Sequence, residues 1–336
     1  MVMPWHEDAL VKLLAERGRL AHAFLVHGPE GIGKRAFADA LAQALLCERP
    51  GAAGLACGAC PGCAWSGQGG HPDFRLLAPA QPDEPDEAGE VREKRASFQI
   101  DVKQVRALAD FINLSSHRGG ARVVLVHPAE ALNPAAANAL LKSLEEPPPE
   151  TYFLLAANRV HYLLPTIRSR CRLVPLAVPD TGAALAWLRA QGAAAPELAL
   201  AQAGGAPLLA AGFDDDYWRV RARLLDLLAQ PGFDPLAAAE ELRDVAPAVI
   251  VALLQKWSYD LAMLSAARRV RYHPDRADAL ARSAARLDRL ETTRFHRRMA
   301  QLQRVVRHPL NARLFLESLF LDCAGLLRTG EARRAA

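Results

Sequence analysis

The sequence predicts an α/β protein: a parallel sheet flanked by helices around a phosphate-binding loop, followed by a region made only of helices. Three observations carry this. Short apolar runs alternate with amphipathic stretches up to about residue 176, the pattern of βα units. Gly28-Pro29-Glu30-Gly31-Ile32-Gly33-Lys34 joins the first apolar run to a long amphipathic stretch with the spacing G-x-x-x-x-G-K. Beyond Pro179 strand signals disappear while alanine-rich helical stretches continue.

Each element has a local reason. Residues 6–17 place Leu10, Leu13 and Leu14 on one face before Gly18, a short amphipathic helix. Residues 23–26 read as a buried strand, and 35–46 as a helix with Phe37, Leu41 and Leu45 on one face. Residues 73–77 read as a strand, 81–95 as an exposed loop rich in Pro and charge, and 102–114 as a helix. A strand over 122–126 lies between Gly119-Gly120 and His127-Pro128. Asn133 is the N-cap and Pro134 the first residue of a helix that must end by Glu146, because Pro147-Pro148-Pro149 cannot continue it. Residues 152–157 form another buried strand. Helices are expected over 181–190 and 196–202, then a break at Gly204-Gly205-Ala206-Pro207, then helices over 217–228, 235–242, 249–266, 275–290 and 311–327. No internal repeat is visible.

A chain of 336 residues fits roughly two or three domains. Its net charge of +4 is too mild to diagnose nucleic-acid binding. The N-terminus carries acids where a signal peptide needs bases, and no apolar run reaches the length of about 18 residues that spans a bilayer. No membrane association and a cytoplasmic location are expected.

In the run from Gly28 to Lys34, Gly28, Gly31 and Gly33 let backbone N–H groups turn inward around phosphate oxygens at a helix N-terminus, and Lys34 reaches the outer phosphates. A tight strand–helix turn is the bland alternative. The motif wants Ser or Thr next, to hold Mg²⁺, and here Arg35 follows. The strand over 122–126 should end in an acid for the same ion, and the chain reads His127-Pro128-Ala129-Glu130. Glu130 reads as a solvated surface charge, with a displaced catalytic acid as the lesser reading. Two losses in the metal apparatus predict no Mg²⁺ site and no intrinsic ATPase, while nucleotide binding is left open.

Beyond the strand over 152–157 stands Thr166-Ile167-Arg168-Ser169-Arg170-Cys171. An arginine supplied in trans to a partner's nucleotide accelerates hydrolysis by roughly 10³ to 10⁵. On spacing alone, two surface arginines on a turn are the favoured reading. Cys47, Cys57, Cys60 and Cys63 cluster, with glycines and Pro61 between them. Four thiolates suit a closed tetrahedral Zn²⁺ site. An iron–sulfur cluster, adventitious cysteines, and a nucleic-acid-binding module using Arg49 and Trp65 are the alternatives. Asn158 could face a phosphate or sit in a turn. Lys142 could touch DNA or water. Arg294, Arg297, Arg298, Arg304 and Arg307 are interleaved with acids and read as a solvated or subunit-contacting face.

The phosphate-loop run, the four cysteines, the stretch Asn133-Pro134-Ala135-Ala136-Ala137-Asn138-Ala139-Leu140-Leu141-Lys142-Ser143-Leu144-Glu145-Glu146-Pro147-Pro148 and residues 166–171 together resemble the AAA+ subunits of bacterial clamp loaders. The resemblance covers the first half of the chain; the second half agrees only in being helical. The missing Mg²⁺ ligands point to the non-hydrolysing branch, since a motor subunit keeps Ser or Thr after the lysine and Asp-Glu after the strand. The resemblance implies an AAA+ P-loop core over 1–178 with a four-cysteine zinc insertion at about 47–63, a small helical lid over 179–212, and an all-α collar over 213–336. It implies one structural Zn²⁺ and a hetero-pentamer with gamma or tau motor subunits and delta. Arg170, with Ser169 beside it, would act in trans on the neighbour's ATP, with Arg168 as a further candidate for that role. The complex would load a sliding clamp on primed DNA for a DNA-directed DNA polymerase. No arginine stands in Gly204-Gly205-Ala206-Pro207, where a motor subunit senses its own nucleotide. An active motor subunit and a small-metabolite kinase are the competing readings.

Overall fold

A computed structural model describes residues 2–80, 98–113, 116–117, 120–230, 232–306 and 311–332. The charged loop expected over 81–95, and Arg307, lie outside them. The chain divides into two compact units, Met1–Ala183 and Ala184–Ala336.

The first unit contains α1 (Glu7–Leu14), β1 (Ala23–His27), α2 (Lys34–Leu46), α3 (Pro61–Gly67), β2 (Phe74–Leu77), α4 (Val102–Asn113), β3 (Arg122–Val126), α5 (Pro134–Glu145), β4 (Thr151–Ala157), α6 (Pro165–Arg168) and β5 (Arg172–Pro175). The strands form one sheet in the order β2-β3-β4-β1-β5, and every neighbouring pair is parallel. The central strands are continuous apolar runs because helices cover both faces of a parallel sheet; Phe24, Leu25, Val124, Leu125, Phe153 and Leu154 are fully buried. The Asn133 side chain accepts the Ala136 amide at 2.8 Å and starts α5 at Pro134, as its sequence predicts.

Three elements of this unit, α3, α6 and β5, are absent from the sequence reading. β5 is an edge strand whose Leu173 is 49% exposed, so its residues lack a buried strand's pattern. α3 is a short helix inside the cysteine cluster, started by Cys60, whose sulfur accepts the Cys63 amide.

α7 (Thr181–Ala190) runs into the second unit, which continues with α8 (Pro196–Gln202), α9 (Pro207–Ala211), α10 (Asp215–Ala229), α11 (Pro235–Glu241), α12 (Pro247–Ala267), α13 (Ala277–Ala284), α14 (Arg289–Val305) and α15 (Ala312–Ala332). A small core of Ala184, Leu188, Ala199, Leu200 and Ala210 is separate from a large one that includes Leu224, Ile250, Leu254, Met299 and Phe320. The helix expected over 275–290 is the shorter α13, and α14 beyond it is absent from the sequence reading. α13 ends at Ala284, and Asp288 starts α14 by accepting the Leu290 and Glu291 amides at 2.8 and 3.1 Å. No helix among the described residues is long and apolar enough to cross a membrane.

Candidate functional site

β1 lies between β4 and β5, so the loop that follows it emerges mid-sheet at the carboxyl edge, where open α/β sheets bind ligands. The sequence dictates the loop's tightness. A Cβ at Gly28 would stand 2.3 Å from the Leu176 carbonyl oxygen. Gly33, at the start of α2, has φ +100°, a conformation that favours glycine. Lys34 is 3% exposed and its ammonium donates to the Pro29 carbonyl. Burial pulls its pKa down to about 8 against the opposing pull of Glu130 and Glu30, so it remains largely protonated at neutral pH.

A feature that sequence reasoning missed braces this loop. Trp5 Nε1 donates to the Ile32 carbonyl at 2.9 Å, and His6 Nε2 lies 3.0 Å from the same oxygen. Burial holds the His6 pKa below its ordinary value. No local spacing links these residues to a loop so far along the chain.

The positions that would carry Mg²⁺ ligands are otherwise engaged. Arg35 donates from Nε to the Asp39 carboxylate at 2.8 and 3.0 Å, one turn along α2, and a guanidinium cannot ligate a cation. After β3 come His127, a cis bond to Pro128, and a short turn carrying Glu130. Glu130 is not the solvated surface charge its position suggests. It is half-buried, and its two oxygens accept the Asn158 amide at 3.0 and 3.2 Å, tying the turn after β3 to the end of β4. The parallel register of β3 and β4 brings the two strand ends together. Lys34, Glu130 and the Asn158 backbone therefore gather at one edge of the sheet. Burial lowers the His127 pKa, and the charge of Arg35 lowers it further.

The arginine segment leaves α6. Ser169 Oγ donates to the Thr166 carbonyl at 3.0 Å. Arg170 Nη1 donates to the same carbonyl at 3.0 Å and lies 3.4 Å from Ser169 Oγ, while Nη2 pairs with Glu145, the last residue of α5. The Arg170 side chain is 34% exposed. Arg168 is exposed as well. Burial lowers the His27 pKa, and the charges of Arg168 and Lys34 add to that shift. Arg168 thus acts electrostatically on the end of β1, whereas Arg170 is tied to α5. Cys171 is buried, which pushes its thiol up to about 12; this suits packing and not reactivity.

The four cysteines converge. The Sγ atoms of Cys47, Cys57, Cys60 and Cys63 all lie within 4.8 Å of one another. Two of the separations, Cys47–Cys60 and Cys57–Cys63, are 3.9 Å. A tetrahedron of Zn–S bonds of about 2.3 Å puts its sulfurs about 3.8 Å apart. Backbone amides of Cys57, Cys60 and Cys63 donate to the sulfurs of Cys47, Cys57 and Cys60 at 3.3, 3.3 and 3.4 Å, contacts that stabilise thiolate. The cluster can hold a metal ion, and with four thiolates it leaves no position open for substrate.

The remaining candidates are less engaged. Lys142 is exposed on α5. Arg294 pairs with Glu291, and Arg298 pairs with Asp322 at 2.8 Å, as expected of a face where acids and bases interleave.

Known proteins place this arrangement. A family model described as DNA polymerase III, delta subunit, matches residues 7–180. The DNA polymerase III subunit delta' of Pseudomonas aeruginosa is 46% identical over 213 residues, covering 62% of this chain and 60% of that protein. Its namesake from Escherichia coli is 38% identical over 232 residues, covering 67% and 65%. That from Yersinia pestis is 36% identical over 279 residues, covering 76% of each. The chain thus spans 60% and 65% of the length of the first two relatives. With its parallel five-stranded phosphate-loop core and helical C-terminal region, this chain belongs to the DNA polymerase III delta' family.

Proposed function

We propose that this chain is the delta' subunit of a clamp loader and serves it as a non-hydrolysing stator. It assembles with gamma or tau motor subunits and delta into a hetero-pentamer in the cytoplasm, and the complex loads the sliding clamp on primed DNA. Arg170 donates its guanidinium to the ATP of the adjacent motor subunit, with Ser169 holding the turn. Residues 1–178 are the AAA+ core, 179–212 a helical lid and 213–336 a collar that builds the oligomer. Cys47, Cys57, Cys60 and Cys63 hold one structural Zn²⁺.

The observation that carries this reading is an asymmetry in the first unit. The cation position beside the phosphate loop is filled by Arg35, bonded to Asp39, while Arg170 stands partly exposed on an anchored turn. The chain retains a charge suited to a partner's phosphate and lacks a metal ligand beside its own. A guanidinium fits that role because it is permanently charged and forked. Gly28, Gly31, Gly33 and Lys34 preserve the loop's shape without the metal side chains that hydrolysis requires.

The test is DNA-stimulated ATP hydrolysis by the reconstituted loader, with this chain intact or carrying Arg170→Ala. The proposal expects a fall of roughly 10³-fold at the site this chain completes and no turnover by the chain alone. Unchanged hydrolysis would end the finger role, and turnover by the isolated chain would make it a motor subunit.

A further inference from the structure

We infer that Glu145 is the positioning residue of Arg170: the end of α5 aims the guanidinium that the proposed function assigns to a neighbour's nucleotide, so this inference rests on that reading. Both partners stand on anchored elements. α5 is fixed through Leu140 and Leu144, which are 0% and 1% exposed, and it stops at Glu145. Pro147, Pro148 and Pro149 forbid its continuation, so the position of Glu145 is set by the chain's own punctuation. α6 is pinned by Ile167, at 0% exposed. The two elements hold Arg170 between them.

Arginine is among the most flexible side chains, and an unheld guanidinium samples many rotamers. Arg170 is held on two sides, by the Thr166 carbonyl from Nη1 and by the Glu145 carboxylate from Nη2. The two acceptors lie on different elements, so they fix direction as well as reach. The Arg170 and Glu145 side chains are 34% and 48% exposed, so water screens their attraction. A screened contact orients the guanidinium without sequestering it from a triphosphate that carries several negative charges. Groups arranged before the charge of the transition state develops contribute more than groups that must be ordered at that moment. Glu145 lies 25 positions before Arg170, and nothing in its local sequence distinguishes it from Glu146.

Four reconstituted loaders test this, carrying this chain as wild type, Glu145→Gln, Arg170→Ala, or both. Gln keeps the shape and removes the charge. A group that acts only as the transition state forms changes kcat and leaves KM alone. We expect Glu145→Gln to lower kcat by roughly three- to tenfold, with KM for ATP and the melting temperature of the free chain unchanged. On the Arg170→Ala background it should cause no further loss, because residues acting as one unit are not additive. Full activity in Glu145→Gln beside a large loss in Arg170→Ala would overturn the positioning role and leave the finger standing. A further loss on the Arg170→Ala background would also overturn it, since Glu145 would then act through a contact of its own. Full activity in Arg170→Ala would remove both readings.

Discussion

Arg221 on α10 uses its whole fork inside the second unit. Its Nη1 and Nη2 donate to Asp275 at 3.0 and 2.6 Å, and its Nε donates to Gln202 at 3.2 Å. The Arg221 side chain is 4% exposed and that of Asp275 is 32%. Burial alone would raise the Asp275 carboxyl, but the hydrogen bonds and charge of Arg221 outweigh it and hold the pKa below the usual value. Removing one partner of such a pair leaves a buried charge uncompensated. Asp275→Ala should therefore destabilise the chain by roughly 2–4 kcal/mol, below the full buried-pair value because Asp275 retains some solvent. Urea denaturation measures this directly, and a loss under half a kilocalorie would contradict it. Glu16→Ala is the control: it breaks the equally well-formed Arg172–Glu16 pair (2.5 and 3.0 Å), but on an exposed surface where water screens it, so its effect should be much the smaller of the two. His273 gives the pH counterpart. It is fully buried against Asp260, and burial pulls its pKa below 6.5 more strongly than Asp260 raises it. The unfolded chain therefore binds that proton more readily, so stability is present above pH 6.5 and falls as pH drops below it. His6, His27, His71, His127 and His296 are shifted in the same direction. Urea midpoints should fall between pH 7.5 and 5.5, and a flat profile would refute the buried-neutral assignment. These partners were invisible in the sequence because a charged residue defaults to solvent and its mate lies far along the chain. The cysteines were legible because their ligand spacing is local.

Elements were legible wherever one face is apolar and both ends are punctuated. α5 satisfies both conditions, with Asn133-Pro134 at one end and three prolines at the other, and so the helix was placed within a residue. α14 satisfies only the first, weakly. Its buried Thr292, Phe295 and Met299 lie among arginines that drown the apolar stripe, and its start depends on a cap at Asp288. Asp288→Ala should cost about 1 kcal/mol, the usual value of an N-cap, measured as a shift in the denaturation midpoint. No shift would mean that packing against α12 alone sets where α14 begins. α3 owes its existence to different chemistry. It is short, is capped by Cys60 and carries Cys63 in its first turn, so a metal on those sulfurs would hold its N-terminal end. One zinc per chain should be found by metal analysis, and a thiol-competing chelator should remove it with loss of thermal stability. A chain purified with no metal and full stability would refute the structural role of the cluster.

At the scale of the whole chain, the two units differ in what holds them together. The first has a parallel sheet and a cysteine cluster between α2 and β2 that can hold a metal ion. The second has no strand among its described residues and rests on helical cores, a small one around Leu188 and Leu200 and a large one running from Leu224 to Leu326. A domain with its own core can unfold as a cooperative unit. Residues 180–336 expressed alone, cut ahead of α7 so that no helix is severed, should therefore give a helical spectrum and one cooperative unfolding transition. Internal contacts set its stability, so Asp275→Ala should shift the midpoint of the fragment as it shifts that of the same residues in the full chain. Metal removal gives the complementary outcome: it should lower the transition of the first unit and leave that of the fragment unchanged, because all four cysteines lie before residue 64. A fragment that melts without cooperativity would show that the helical core needs the sheet-bearing unit to fold. The second unit could not then serve as an independent platform for oligomerisation, and the collar assignment would fall on physical grounds before any partner was tested.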